Sequence, residues 1–328
     1  MNALEFTDII KHQLIDKGFL LEQISIVETV IQKQLKDKFI QEINDNIPQN
    51  NNEAIDAFIS SKKIEGCSSK TLKLYENIIV KSLDAINKHY YQISTEDVRD
   101  YISYYQDNRN VSKITIDNMR RVISSFFSWL ESEDYIVKSP IRRIHKIRTD
   151  KIVKQVYSEE TIELIRQNTN NIRDLAIVDM LYSTGMRVGE LVKLNIIDID
   201  FENKECIVFG KGSKQRKVYF DAKTKLHLQQ YIDSRKDEND ALFVSLMSPY
   251  KRLEISGVEI ALRKIGIKIG IKVHPHKFRR SLATKAIDKG MPIEQVQHLL
   301  GHSKIETTLC YAMVDDTNVK ISHKKYLE

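Results

Sequence analysis

Along the second half of this 328-residue chain, side chains able to do phosphate chemistry follow one another in a fixed order. Thr184-Gly185-Met186-Arg187-Val188-Gly189-Glu190-Leu191 has the form of a turn followed by a helix start. Gly210-Lys211-Gly212-Ser213-Lys214 is a tight glycine-flanked turn, which puts Lys211 at a hairpin tip. His274-Pro275-His276-Lys277-Phe278-Arg279-Arg280 places His276 and Arg279 three residues apart on one face of a helix opened by Pro275. Leu299-Leu300-Gly301-His302 is followed nine residues later by Tyr311. Two arginines offer planar forks of donors that match the oxygens of a phosphate. With a hairpin lysine beside them, they suit a phosphodiester whose negative charge grows in the transition state.

Taken singly, most of these residues have an ordinary reading. Arg187 and Glu190 could be a surface pair, Lys211 a solvated turn residue, and Tyr311 a packing residue among 14 tyrosines. His298 and His302, four apart, invite a zinc reading, but His274 and His276 complete no standard ligand spacing, so no metal is expected. No cluster of carboxylates accompanies the arginines, which argues against a magnesium-dependent nuclease, and no Walker motif points to ATP. No cofactor is expected.

The elements that must hold these residues divide the chain. Only Gly18 and Gly66 precede residue 150, whereas nine of the 11 glycines follow it, so helices are expected first and a mixed fold with hairpins second. Apolar spacing predicts two amphipathic helices on either side of Gly18, then four more near 53–63, 69–87, 95–107 and 113–133, with Thr95 and Ser112 as N-caps. Pro48 to Asn52 is read as a linker, and Arg142, Arg143, His145, Lys146, Arg148, Lys151 and Lys154 as a basic connector. Beyond it, Ser158 caps a helix, residues 197–220 alternate as strands, and Ser256 with Glu259 and Ser303 with Glu306 suggest capping boxes. Pro292 fits a first helical position and Gly301 a C-cap. The expected organisation is a helical extension at 1–48, a helical domain at 49–145, a basic linker at 146–156 and a mixed α+β domain at 157–328.

Composition narrows the class further. Hydrophobic residues make up 41% and charged residues 29%, as in a folded globular chain, and no apolar run is long enough to span a membrane. Three widely spaced cysteines rule out a disulfide framework and suggest a reducing, cytoplasmic setting. The net charge of +6 is unevenly placed. Residues 1–48 carry five Lys against eight Asp or Glu, a balance of −3, and residues 151–328 carry 30 basic against 23 acidic, a balance of +7. A basic body with an acidic appendage fits a nucleic-acid enzyme carrying a protein-contacting module.

The four patterns, in this order, resemble the tyrosine recombinase (phage integrase) family, including its Xer-type members, over roughly residues 53–320. The resemblance implies a mainly α fold with a small β-sheet: an all-helical SAM-like core-binding domain and a mixed α+β catalytic domain closing as a C-shaped clamp on double-stranded DNA. It puts the phosphate-clamping arginines at Arg187 and Arg279, with Glu190 supporting the first. It makes Lys211 the acid for the departing 5′-oxygen, His276 and His302 aids to proton transfer, and Tyr311 the nucleophile of a 3′-phosphotyrosyl bond. Arg280 stands where many relatives have histidine. Arg142, Arg143, Lys146, Arg148 and Lys214 are the expected DNA contacts. The 17 residues after Tyr311 resemble a tail that docks on a neighbouring protomer, which implies a tetramer on paired sites in the cytoplasm, at the nucleoid. A type IB topoisomerase would share the chemistry; a catalytically inactive DNA-binding regulator would be expected to lack some of these residues.

Overall fold

The computed structural model describes residues 3–35, 47–109, 111–148, 155–210 and 215–309. The chain falls into two compact units, Met1–Lys151 and Ile152–Glu328.

Among its described residues the first unit is all helical. Helices α1 (Ala3–Asp16) and α2 (Leu21–Leu35) form a hairpin around Gly18, whose φ of 79° is the left-handed turn conformation a glycine adopts freely. Their mutual contact buries Ile24 and Thr7, and Lys11 pairs with Glu28 at 3.0 Å. Helices α3 (Asn51–Ile64), α4 (Ser69–Ile86), α5 (Thr95–Arg109) and α6 (Lys113–Ser132) surround a core of Phe58, Ile79, Tyr90, Val98, Ile116, Phe126, Phe127 and Leu130. Phe58 meets Phe126 and Trp129 edge to face at 5.4 and 5.5 Å.

Three local readings are corrected here. The asparagine run expected as a linker opens α3 instead: Asn50 caps it by accepting from the Glu53 N–H, and Asn51 holds the backbone of Tyr90 and Lys88. Pro48 is buried, and its carbonyl accepts from the Tyr90 hydroxyl at 2.9 Å. The cap of α5 is Ser94, in reciprocal bonds with Asp97, while the Thr95 hydroxyl is drawn away to the Pro140 carbonyl at 2.7 Å. The described part of the basic connector also lies on this helical core. Ile141, Ile144 and Ile147 pack against it, and the Ile147 N–H donates to Asp117. That threefold spacing turns Arg142, Arg143, Lys146 and Arg148 outward.

The second unit is built around α8 (Ile172–Thr184), whose residues from Ala176 to Tyr182 are buried on every side. It packs against α7 (Glu159–Gln167), α10 (Ala222–Asp233), α11 (Ile255–Lys268) and α12 (Pro275–Asp288), while α13 (Ile293–Leu300) packs on α12. After the short α9 (Val188–Leu191) comes an antiparallel sheet of β1 (Ile199–Asp200), β2 (Glu205–Phe209) and β3 (Gln215–Tyr219), in that order. Its pairing sets Cys206 opposite Val218 and Val208 opposite Arg216, so Cys206, Val208 and Val218 enter the core. Ile197 and Asp198, expected in the first strand, form a 3₁₀ turn ahead of it.

Ser158 caps α7, and Pro275 starts α12, as expected. The Ser256 capping box does not form. Leu253 is still bonded in strand fashion to Phe243, so α11 begins right after Glu254 and Ser256 lies inside its first turn. Pro292 is the residue before α13, one position earlier than expected. The last helix among the described residues, α14, is short and runs over Ile305–Leu309.

Candidate active site

The C-terminal end of α13 organises the site. Helix ends leave carbonyls unpaired and carry partial negative charge, so they attract cations. Here three successive carbonyls each accept from a different arginine. Leu299 takes Arg216 Nε at 3.0 Å, Leu300 takes Arg279, and Gly301 takes Arg187 at 3.4 Å. Gly301, at φ 64°, turns the chain out of the helix so that these carbonyls face the arginines. The next residue is His302.

Each arginine reaches this point from a different element. Arg187 is the N-cap of α9, two residues after the C-cap Gly185 of α8. Arg279 lies in the second turn of α12, 4% exposed, and its guanidinium also donates to the Gly185 carbonyl at 2.7 Å. It therefore joins the ends of α8 and α13. Arg216 comes from β3, on the inward face shared with Val218. Its Nη atoms donate to both Glu190 oxygens at 2.9 and 2.8 Å.

Glu190 completes the frame. Only 5% exposed, it accepts from Arg216, from the Arg187 guanidinium at 2.9 Å and from the Arg187 backbone N–H at 2.7 Å. Burial alone would raise its pKa. The hydrogen bonds from Arg216 and Arg187 outweigh that and hold the carboxyl down at about 2. Arg187 keeps 36% of its side chain in solvent, so its outer edge can meet a ligand while the inner edge is fixed.

The histidines share this field. His302 is half-buried, and its Nδ1 lies 2.9 Å from the buried Thr308 hydroxyl. Its backbone is clasped by Gln297, whose carbonyl accepts from its N–H and whose amide donates to its carbonyl. Burial first, then Arg279, Arg187 and Arg216, depress its pKa to about 4, so the ring is neutral at neutral pH. Partial burial, then Arg279, Arg280 and Arg187, lower that of His276 as well. Among the described residues no three His, Cys, Asp or Glu side chains stand together as metal ligands.

The structure thus brings together Arg187, Glu190, Arg279 and His302, with His276 within their electrostatic reach. Lys211, Lys214 and Tyr311 lie outside the described residues. Arg142, Arg143, Lys146 and Arg148 are exposed on the helical unit. Sequence reasoning missed Arg216, the main partner of Glu190. Its signal was the alternation Arg216, Val218, Phe220, which puts an arginine on the face that enters the core.

A helical unit joined to a mixed unit that gathers arginines, a buried glutamate and neutral histidines defines a class of phosphate-handling proteins. Residues 153–318 match the model of the phage integrase family, and residues 55–136 match the phage integrase N-terminal SAM-like domain. The chain belongs to the phage integrase family. It is 30% identical to the tyrosine recombinase XerC of Oceanobacillus iheyensis over 289 residues, which cover 83% of this chain and 94% of that protein. The fold is similar to that of the XerH site-specific recombinase bound to a palindromic difH substrate (TM-score 0.67, 18% identity, 99% of this chain and 96% of that one). It is also similar to that of a lambda integrase dimer bound to a COC′ core site (TM-score 0.68, 18% identity, 90% and 88%).

Proposed function

We propose that this chain breaks and rejoins double-stranded DNA through a covalent bond between Tyr311 and a 3′-phosphate. Family membership makes it a DNA-cleaving and DNA-rejoining enzyme, a site-specific recombinase. The observation that carries the finer reading is the arginine cluster at the end of α13, held by Glu190 beside a neutral His302.

In this reading the Tyr311 oxygen attacks phosphorus and the bond to the 5′-oxygen breaks. The phenol, with an ordinary pKa of about 10, gives its proton to a neutral histidine as it attacks. The leaving 5′-oxygen takes a proton from Lys211. Arg187 and Arg279 offset the charge that builds on the non-bridging oxygens. The phosphotyrosyl bond keeps the energy of the phosphodiester, so the reverse attack by a 5′-hydroxyl rejoins the strand without a nucleotide. Contacts from Arg142, Arg143, Lys146, Arg148 and Lys214 to backbone phosphates, closure of the two units around the duplex, a tetramer held by the C-terminal tail, and a cytoplasmic site at the nucleoid belong to the same proposal. Among the described residues no helix is long and apolar enough to cross a membrane.

The test is Tyr311→Phe on a nicked suicide substrate, read by denaturing electrophoresis. Wild type is expected to form an adduct with EDTA present, and the variant to bind DNA without forming one. An adduct in the variant would place the nucleophile elsewhere.

A further inference from the structure

Next to the site lies a group of cations that form no ion pair among the described residues. Tyr157 is its hub. The Tyr157 N–H donates to Ser281 Oγ at 2.8 Å, and its hydroxyl donates to the Lys272 carbonyl at 3.1 Å and accepts from the His274 N–H at 3.2 Å. Its ring packs on Phe278 at 5.0 Å, and Lys277 Nζ sits 4.4 Å above the ring centre. These contacts tie Tyr157, the segment entering α12 and its first turns into one platform. Lys272, His274, Lys277 and Arg280 are carried on it.

Arg280 is the anomaly. It is half-buried, its Nε is shut from solvent, and it finds no hydrogen-bond or ion-pair partner among the described residues. Five other buried or partly buried arginines of this unit are matched to carboxylates: Arg166 to Asp179, Arg173 to Asp174, Arg187 and Arg216 to Glu190 and Arg235 to Asp237. Arg252 and Arg279 donate to backbone carbonyls. Around Arg280 the charges are mainly positive, with Glu259, which acts on His276, the acidic exception. After burial, the groups that lower His274 are Arg280, Lys272, His276 and Lys277, and those that lower Lys277 reduce to Arg280. A guanidinium held half-buried without a counter-charge costs stability, which an external anion would return.

We propose that Arg280 and Lys277, on the Tyr157 platform, bind a DNA backbone phosphate beside the scissile one. The inference rests on the reading of the chain as a DNA-cleaving enzyme and adds a contact to it. Lys277 and Arg280, three apart on α12, present two cations to one anion. Such a contact fixes the register of the duplex without reading its bases.

Salt-dependent binding of the full-length chain to a short fluorescein-labelled duplex tests this, with wild type, Arg280→Gln, Lys277→Gln and Arg280→Lys compared. Arg280→Gln should lower the slope of log affinity against log salt by about 0.9 for the one phosphate released. Lys277→Gln should lower it too, and Arg280→Lys should restore most of it. Without DNA, Arg280→Gln should melt no lower than wild type, because it removes an uncompensated charge. An unchanged slope overturns the proposal, and so does a lower melting temperature, which would reveal a protein partner for Arg280. A shifted pH profile of adduct formation with an unchanged slope would assign Arg280 to His276 and also overturn it. If inorganic phosphate alone raises the melting temperature of wild type but not of Arg280→Gln, and the slope is unchanged, the platform takes a free anion and not DNA. Failure of wild type to form the Tyr311 adduct would sink the enzymatic reading instead, independently of these slopes.

Discussion

At the scale of single residues, Glu190 is stabilised by its partners and not by solvent. Arg216→Met strips both of its Nη bonds and leaves the buried carboxylate with Arg187 alone. Breaking a buried pair from one side costs about 3–5 kcal/mol. Denaturant unfolding should report a loss of that size, and Tyr311 adduct formation should fall with it, because Arg187 loses its brace. Unchanged stability would mean that Glu190 does not depend on Arg216. The pH dependence separates the same groups. The pKa of Glu190 is depressed, so its contribution is complete above its unfolded value and disappears as pH falls through about 2. His302 is depressed to about 4, so the unfolded chain takes up its proton first and stability falls as pH drops from about 6.5 towards 4. His302→Gln should flatten that upper limb of an acid melting series, and Glu190→Gln the lower one. Neither the depth of Glu190 nor the pairing with Arg216 was legible in sequence. Arg187, Glu190, Arg279 and His302 were picked out by motifs that resemble the family's, but Arg216 is recognised only once the Val208–Arg216 register turns it inward.

At the scale of elements, Leu-Leu-Gly-His is legible as a pattern, but its physical meaning lies in where a helix stops. The left-handed Gly301 exposes the carbonyls of Leu299 and Leu300 to the arginines, and there is no room for a side chain. A Cβ at this position would sit 2.9 Å from Arg216 Cδ and 3.2 Å from its Nε. Gly290, at φ 86°, has nothing within 4 Å of such a Cβ. Gly290→Ala should therefore cost only the conformational penalty, about 1–2 kcal/mol, and keep adduct formation. Gly301→Ala should cost at least as much and also slow the adduct, by displacing Arg216 from Glu190. Thermal melting and single-turnover adduct kinetics on the two variants check this, and equal kinetics would show that α13 does not set the site. Helix periodicity located α3 to α6 correctly, because each buries a face against the same core. It failed at boundaries fixed by distant partners: Thr95 is claimed by Pro140, and Ser256 is overtaken by the Leu253–Phe243 bond.

At the scale of the whole chain, the division into a helical and a mixed unit was legible from where the glycines fall, since hairpins and left-handed caps need them and a helical bundle does not. The acidic first segment was legible as two helices but not in its packing. Helices α1 and α2 pack chiefly on one another, sealing Ile24 and leaving Leu20 68%, Leu21 76% and Ile26 66% exposed. So short a hairpin gains little from its own core, and these exposed apolar side chains are open to a further surface. The charge of −3 over residues 1–48 disfavours phosphate and favours a basic protein surface. Among the described residues the helical core begins at Ile47, which packs on it, and Pro48, whose carbonyl accepts from the Tyr90 hydroxyl, so a chain started at Ile47 keeps these contacts. This shortened chain should melt as the full chain does, bind a single core site and form the Tyr311 adduct, yet assemble fewer paired-site complexes in native gel electrophoresis. A lower melting temperature would make the hairpin a cap on the helical unit. Weaker binding to DNA flanking the core site, with normal assembly, would make it a DNA-binding arm and defeat the charge argument.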